Sequence, residues 1–433
     1  MDWPRKCPKI NNKDRKIFQY GAGGNSTIVK LRADSPNQTI LEISCAEDLV
    51  QCLEKEPFDC NPQEGETIAI LAGRAEDSKP GGAHNPALLR YLPFCEDNFD
   101  TILQKFWVHG SIARTVNRGY PLFSRTLIQL GTPAEPAIVY NCRTSHDWPG
   151  DLAMSMTYFP LRKVTYGVLY GCDADIKRAV LARLRNSEDA ACHPLLLIGI
   201  FTELERKRQI DLVKNGFDTL HNTIINLGRP ASGNEEILGE EPSITNAIDP
   251  WLEIHHLKNA LESWKEQLAK IVAHIDELSE TWFSSVPSDS EDEKSKRCRV
   301  REVGERIKER VVEIVCDYDA RTRECVMIME GMNIATQLAH ARANIEIAAS
   351  AKTDSNQMRS IALLTMVFLP ATFVASVFSM TFFDWDPPQG KSMVSSSIWI
   401  YFIIAVVLTV AVVGLWLTVV RRTRLPKSPA YIV

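Results

Sequence analysis

Two stretches of the chain, residues 361–383 and 398–420, contain no Asp, Glu, Lys, Arg or His. Each is about 23 residues, roughly 35 Å as a helix, which is enough to cross a hydrocarbon core of about 30 Å. A buried core helix is the competing reading of one such run. Two in succession, in a chain that is 24% charged overall, predict a pair of membrane spans.

The flanks fit that prediction. Phe382, Phe383 and Trp385 close the first run, and Trp399 and Tyr401 open the second, an aromatic belt at one interface. Lys352 and Arg359 precede the first run, and Arg421, Arg422, Arg424 and Lys427 follow the second, marking the other interface. By the positive-inside rule both termini are cytosolic, and the loop at 384–397, with Asp384 and Asp386, faces out. The plasma membrane is the expected location. The opening residues MDWPRKCPKINNKDRK carry no apolar core of a signal peptide. Eleven cysteines without CxxC spacing read as reduced thiols. A net charge of -5 leaves no basic footprint for nucleic acid.

Upstream of the spans the sequence divides by pattern. Residues 1–38 show no assignable one. Residues 39–227 alternate strand-like runs (66–73, 136–142, 164–172) with helix-like ones (97–116, 173–185, 193–224), which predicts an α/β domain in the cytosol. Residues 228–250, rich in Gly, Pro and acid, read as a linker. From 251 to 359 the pattern is a helical stalk. Ile254, Leu257, Leu261, Trp264, Leu268, Ile271, Ile275 and Leu278 recur at alternating spacings of three and four, a heptad, coiled-coil-like stripe that wants a partner. After a polar break at 284–299, Ile307, Val311, Ile314 and Tyr318 continue the spacing. Cys325, Ile328, Met332, Ala335 and Ala339 resume it after a fault at Arg321. No proline interrupts the sequence from Glu302 until Pro370, so one helix is expected to run from stalk into first span, two helices broken near Lys352 to Asn356, where polar residues cluster, being the other reading. The expected class is an α+β membrane protein: a cytosolic α/β domain, a long helical stalk, spans at 360–383 and 398–420, and a basic tail at 421–433.

Phe368-Leu369-Pro370-Ala371-Thr372 and Phe378-Ser379-Met380-Thr381-Phe382 stand in the first run. Together with the order of elements, they resemble the CorA family of divalent-cation channels, whose first span carries a central proline followed by threonine and ends on Tyr-Gly-Met-Asn-Phe. The segment at 193–213, HPLLLIGIFTELERKRQIDLV, resembles fungal members. Where the family has Gly-Met-Asn, this chain has Ser379-Met380-Thr381. An intact Gly331-Met332-Asn333 occurs upstream, but Met332 lies on the stalk stripe and reads as core packing.

The resemblance implies a homo-oligomer, a pentamer in the family, with the first span lining a pore for Mg²⁺ or another divalent cation as transported ion. No resident cofactor and no enzymatic activity are expected. Mg²⁺ dehydrates reluctantly, so a conducting site handles it best through its water shell with neutral oxygens. Thr381 offers a hydroxyl where the family offers an amide, which predicts weaker selectivity or a different ion. Thr365, Thr372, Ser376 and Ser379 fall on one helical face. Such a stripe either lines a pore or serves helix packing and backbone bonding. Met358, Ile361 and Leu369 fall on or near that face, where the resemblance implies an apolar gate. Asp384 and Asp386 would concentrate cations at the outer mouth or stand as solvated loop acids. Glu313, Asp317 and Asp319 read as a solvated stalk face, with a cytosolic metal-sensing site as the other reading. The rival from a different class is a non-conducting membrane scaffold or regulatory subunit that keeps the architecture and has lost the selectivity motif.

Overall fold

The computed structural model describes residues 9–21, 26–32, 39–43, 65–74, 89–228, 245–284, 290–379 and 398–423. They fall in two compact units, Met1–Thr336 and Gln337–Val433.

In the first unit the strands are β1 (Gln19–Tyr20), β2 (Ser26–Arg32), β3 (Thr39–Ile43), β4 (Glu66–Ala72), β5 (Tyr91–Leu92), β6 (Leu122–Leu130), β7 (Glu135–Arg143), β8 (Ala153–Phe159) and β9 (Val164–Tyr170). Seven of them form a sheet in the order β3-β2-β4-β9-β8-β7-β6, and β1 pairs with β5 separately. Every neighbour in the large sheet is antiparallel except β4 and β9. All residues of β4, β8 and β9 are buried, as expected of strands covered on both faces. Period-two alternation sorts them: Ile68 and Ile70 face one core, Ala69 and Leu71 the other.

The two faces carry different helices. On one, after the single turn α1 (Asn12–Arg15), helices α2 (Glu96–Lys105) and α3 (Ile112–Val116) bury Phe99, Ile102, Ile112 and Val116 against Ile28, Ile68, Val139 and Val168. The sequence pattern predicts a single helix over 97–116. It breaks at Trp107, whose φ of 52° lies outside the helical range, and the chain then passes so close to Lys9 at Gly110 that a Cβ there would sit 2.6 Å from the Lys9 carbonyl oxygen. The other face is covered by α4 (Ala174–Arg185), α5 (Leu196–Gly228), α6 (Thr245–Thr281) and the first part of α7 (Glu291–Phe378). Asp173 caps α4, its carboxylate accepting the Ile176 N–H at 2.7 Å. Strand β2 lies within the residues to which the sequence assigns no pattern. It pairs with both β3 and β4.

Helix α6 starts upstream of the expected boundary and includes Pro250. Its predicted stripe is the centre of the core: Ile254, Trp264, Leu268, Ile271, Ile275 and Leu278 are 0% exposed, Leu257 and Leu261 1%. Helix α7 begins at Glu291, earlier than the expected start near 302, with Ser290 Oγ accepting the Glu293 N–H at 3.3 Å. Val311, Ile314, Tyr318, Cys325, Ile328 and Met332 continue the core. At the fault, Arg321 turns aside to Glu324, 2.6 Å away. Met332 of Gly331-Met332-Asn333 is 5% exposed and packs in this core.

The second unit consists of the remainder of α7 and of α8 (Ile398–Thr423). Helix α7 runs unbroken through Pro370 to Phe378. Both helices contain segments long and apolar enough to cross a membrane. They meet through buried Val374 and Ala405, through the Tyr401 hydroxyl, which donates to the Ala371 carbonyl at 3.4 Å, and through the Arg359 guanidinium, 5.3 Å from the Trp416 ring centroid. Leu364, Phe368, Val407 and Leu415 are exposed, a surface suited to lipid rather than water.

Candidate functional site

At about 100° per residue, Met358, Ile361, Thr365, Leu369, Thr372, Ser376 and Ser379 lie within an arc of about 80°. The structure keeps this face open. Met358 is 69% exposed, Ile361 64% and Leu369 66%, and the four hydroxyl residues are exposed as well. Pro370 and Val374, which are buried, point to another side of the helix, and Val374 belongs to the contact with α8. The hydroxyl face is therefore distinct from the buried contact with α8, although it borders α8 along a groove.

Three of the four hydroxyls are oriented by their own helix. Thr365 donates to the Ile361 carbonyl at 2.9 Å, Thr372 to those of Phe368 and Leu369 at 2.9 and 3.0 Å, and Ser376 to that of Thr372 at 3.0 Å. With its hydrogen so used, each oxygen turns lone pairs outward and acts as an acceptor. A hydrated divalent cation presents water hydrogens, so acceptors are what its shell requires. Carbonyl bonding and a polar lining, alternatives at the level of sequence, are compatible here.

The same side chains form one wall of a groove of about 770 Å³, in which Thr365, Thr372, Ser376 and Leu369 are joined by Ala362, Met366 and Phe373 of α7 and by Leu408 and Val412 of α8. The sequence pattern did not single out Leu408 and Val412. They are two apolar residues among many in the second run, and only the pairing of the helices distinguishes them.

At the end of the stripe, Ser379 follows the last residue of α7, and its backbone N–H bonds the Ala375 carbonyl at 2.7 Å. Met380, Thr381, Asp384 and Asp386 lie outside the described residues.

The stalk acids are engaged with cations of the first unit. Arg310 donates to Glu313 at 2.6 Å, Arg206 to Asp317 at 2.6 Å and Lys265 to Asp319 at 2.7 Å. Among the described residues no group of three or more His, Cys, Asp or Glu is placed to hold a metal ion. Two buried histidines, His193 and His274, are bonded within the first unit. His193 Nδ1 accepts the Leu195 N–H at 3.1 Å, and burial, with a smaller contribution from His274, lowers its pKa to about 3. His274 lies 2.9 Å from the Tyr140 hydroxyl and accepts from Arg125 at 2.8 Å. Burial, assisted by the Arg125 charge and opposed by Glu277, lowers its pKa to about 4.

No family model matches the chain. A curated relative, the notoamide biosynthesis cluster protein M' of Aspergillus versicolor, is 35% identical over 60 residues, which are 14% of this chain and 13% of that protein. Among solved structures, the full-length CmaX protein is similar over 93% of this chain and 99% of its own, at 12% identity and a TM-score of 0.42. The CorA magnesium transporter from Methanocaldococcus jannaschii is similar over 90% of this chain and 96% of its own, at 9% identity and a TM-score of 0.41. The ZntB cytoplasmic domain from Vibrio parahaemolyticus covers 72% of this chain and 99% of its own, at 10% identity and a TM-score of 0.33. At these values the likeness is one of outline and assigns neither family nor activity.

Proposed function

We propose that the chain is the subunit of a homo-oligomeric divalent-cation channel whose pore is lined by the hydroxyl face of α7, with Mg²⁺ the first ion to test. One observation supports this above the others: Thr365, Thr372 and Ser376 hold their oxygens toward an open groove on an exposed face of a membrane-length helix, outside its buried contact with α8. In lipid a polar stripe belongs against protein or water. One helix cannot enclose a channel, so further copies supply the remaining walls, five in the family that the Pro370 and Met380 segments resemble. Leu369, Ile361 and Met358 on the same face would form apolar rings that gate by dewetting. Ser379, Met380 and Thr381 would form the outer mouth, with Asp384 and Asp386 beyond it to concentrate cations. Both termini would then lie in the cytosol, the plasma membrane being the expected site.

The test is water access. Thr372→Cys and Ser376→Cys, in lipid bilayers, should react with a membrane-impermeant cationic thiol reagent well above the native background. Val367→Cys, on another side of the helix, should stay at background. Equal labelling of all three positions, or none at 372 and 376, would reject the pore face.

A further inference from the structure

An open cavity of about 310 Å³ lies in the first unit, far in sequence from the membrane segments, between α4, α5, α7 and the 3₁₀ turn at Glu188–Ala190. Its floor is apolar, formed by Leu196, Ile200, Val303, Ile307 and Val311, of which Val303 and Val311 are 1% exposed. Three guanidinium groups, Arg183, Arg306 and Arg310, and two carboxylates, Asp189 and Glu203, line it.

Two of the three cations are engaged. Arg306 donates to Asp189 at 2.5 Å, and Arg310 bonds Glu203 and, at 2.6 Å, Glu313. Arg183 differs. Its Nη1 donates to the carbonyl of Ala179 on its own helix at 3.1 Å, and among the described residues it has no carboxylate partner. Arg310 takes two carboxylates, Glu203 and Glu313, so what distinguishes Arg183 is not a net surplus of charge but a guanidinium with donors to spare. A guanidinium keeps its charge at any physiological pH and suits a carboxylate fork. A phosphate dianion would call for a second free cation, which the pairing of Arg306 and Arg310 denies it. The exposed carboxamide of Asn186 stands on the same lining.

We infer that this cavity binds a small amphiphilic carboxylate, its apolar body on the floor made by α5 and α7 and its carboxylate on Arg183. A volume near 300 Å³ is at the lower end of ligand pockets and accommodates a body the size of two fused aromatic rings. Helix α7 supplies part of the wall, so the ligand would favour whichever arrangement of α5 and α7 keeps the cavity open.

The experiment is titration of the full chain in lipid nanodiscs with 2-naphthoate, read by ligand-observed NMR against empty nanodiscs. The neutral isostere 2-naphthylmethanol reports partition into lipid. The expected dissociation constant for 2-naphthoate is on the order of 1 mM. Arg183→Met, which keeps the stem and removes the charge, should weaken it about tenfold. Gly199→Leu should abolish binding. Gly199 lines the cavity, and a Cβ there meets only the Ile307 methyl at 3.6 Å, an ordinary contact, so the variant can fold while filling the space. Unchanged thermal unfolding of both variants would confirm intact folds. No saturable binding by the native protein, equal binding of the alcohol, or full affinity in Arg183→Met would each overturn the inference.

Discussion

Thr372 donates its hydroxyl to the carbonyl of Phe368 at 2.9 Å, one turn back on α7, while its oxygen stays exposed. Thr372→Val keeps the shape and removes the acceptor. Loss of one hydrogen bond to the shell of a cation, about 1.5 kcal/mol, corresponds to roughly tenfold slower passage. Divalent-cation flux into proteoliposomes should fall by about that factor, with unfolding temperature unchanged, and Thr372→Ser should restore it. A Val variant that conducts like the native protein would show that this oxygen does not face the ion path.

The mouth gives a prediction of opposite sign. Replacing Ser379 by Gly and Thr381 by Asn installs an amide, which reaches further and offers a stronger carbonyl acceptor than a hydroxyl. Mg²⁺ flux, and its preference over Co²⁺ and Ni²⁺, should rise in the double variant. An unaltered preference would mean that selectivity is set elsewhere.

Trp264 lies at the centre of the first unit, 0% exposed, with its ring 6.0 Å from that of Phe201 on α5. Trp264→Ala leaves a large cavity in a core shared by α5, α6 and the sheet. It should destabilise the fold by about 3–5 kcal/mol, seen as a marked fall in the unfolding temperature of the full chain. A shift within the scatter of surface variants would contradict the packing described.

Acid should weaken the same unit in a defined window. His193 and His274 are held neutral, with folded pKa values of about 3 and about 4, below the unfolded value of about 6.5. The unfolded chain therefore binds protons that the folded chain refuses. Stability is complete above pH about 6.5 and declines as pH falls toward the folded values, by about 2 kcal/mol per histidine at pH 5. Protonation of His193 at Nδ1 would also break its bond from the Leu195 N–H. Unfolding temperature measured from pH 7.5 to 4.5 should fall, and His193→Gln should flatten the slope. A slope unaffected by that substitution would assign the acid sensitivity to other groups.

The parts legible in the sequence were those with strong periodicity. The stripe from Ile254 to Leu278 names the core of α6 residue by residue, because an eight-member heptad pattern has one helical reading. The buried strands β4, β7 and β9 show as short β-rich runs. Strand β8, Ala-Met-Ser-Met-Thr-Tyr-Phe, hides because Ala, Met and Ser carry little β-propensity; its place between β7 and β9 decides its conformation. Strand β6 hides for another reason: it is an edge strand, and its exposed Arg125, Thr126 and Leu127 blur the alternation. The break at Trp107 depends on chain segments brought together by folding, and no local residue announces it.

In the candidate site, the spacing of Thr365, Thr372 and Ser376 already placed the hydroxyls on one face. That their hydrogens are used within the helix, leaving acceptors, and that Leu408 and Val412 of α8 complete the groove beside them, follow from the fold and not from the spacing. Arg183 illustrates the limit from the other side: in sequence it is one basic residue in a basic helix, and only the pairing of Arg306 and Arg310 sets it apart.

The most direct measurement is divalent-cation flux into liposomes holding the purified protein, with Mg²⁺, Zn²⁺, Co²⁺ and Ni²⁺ compared and the double variant Thr372→Leu, Ser376→Leu run beside it. The hydroxyl-lined pore predicts flux of at least one of these ions in the native protein and its loss in the Leu pair. No flux of any ion from folded, oligomeric protein, or undiminished flux in the Leu pair, would contradict it; the first result would point to a membrane scaffold instead.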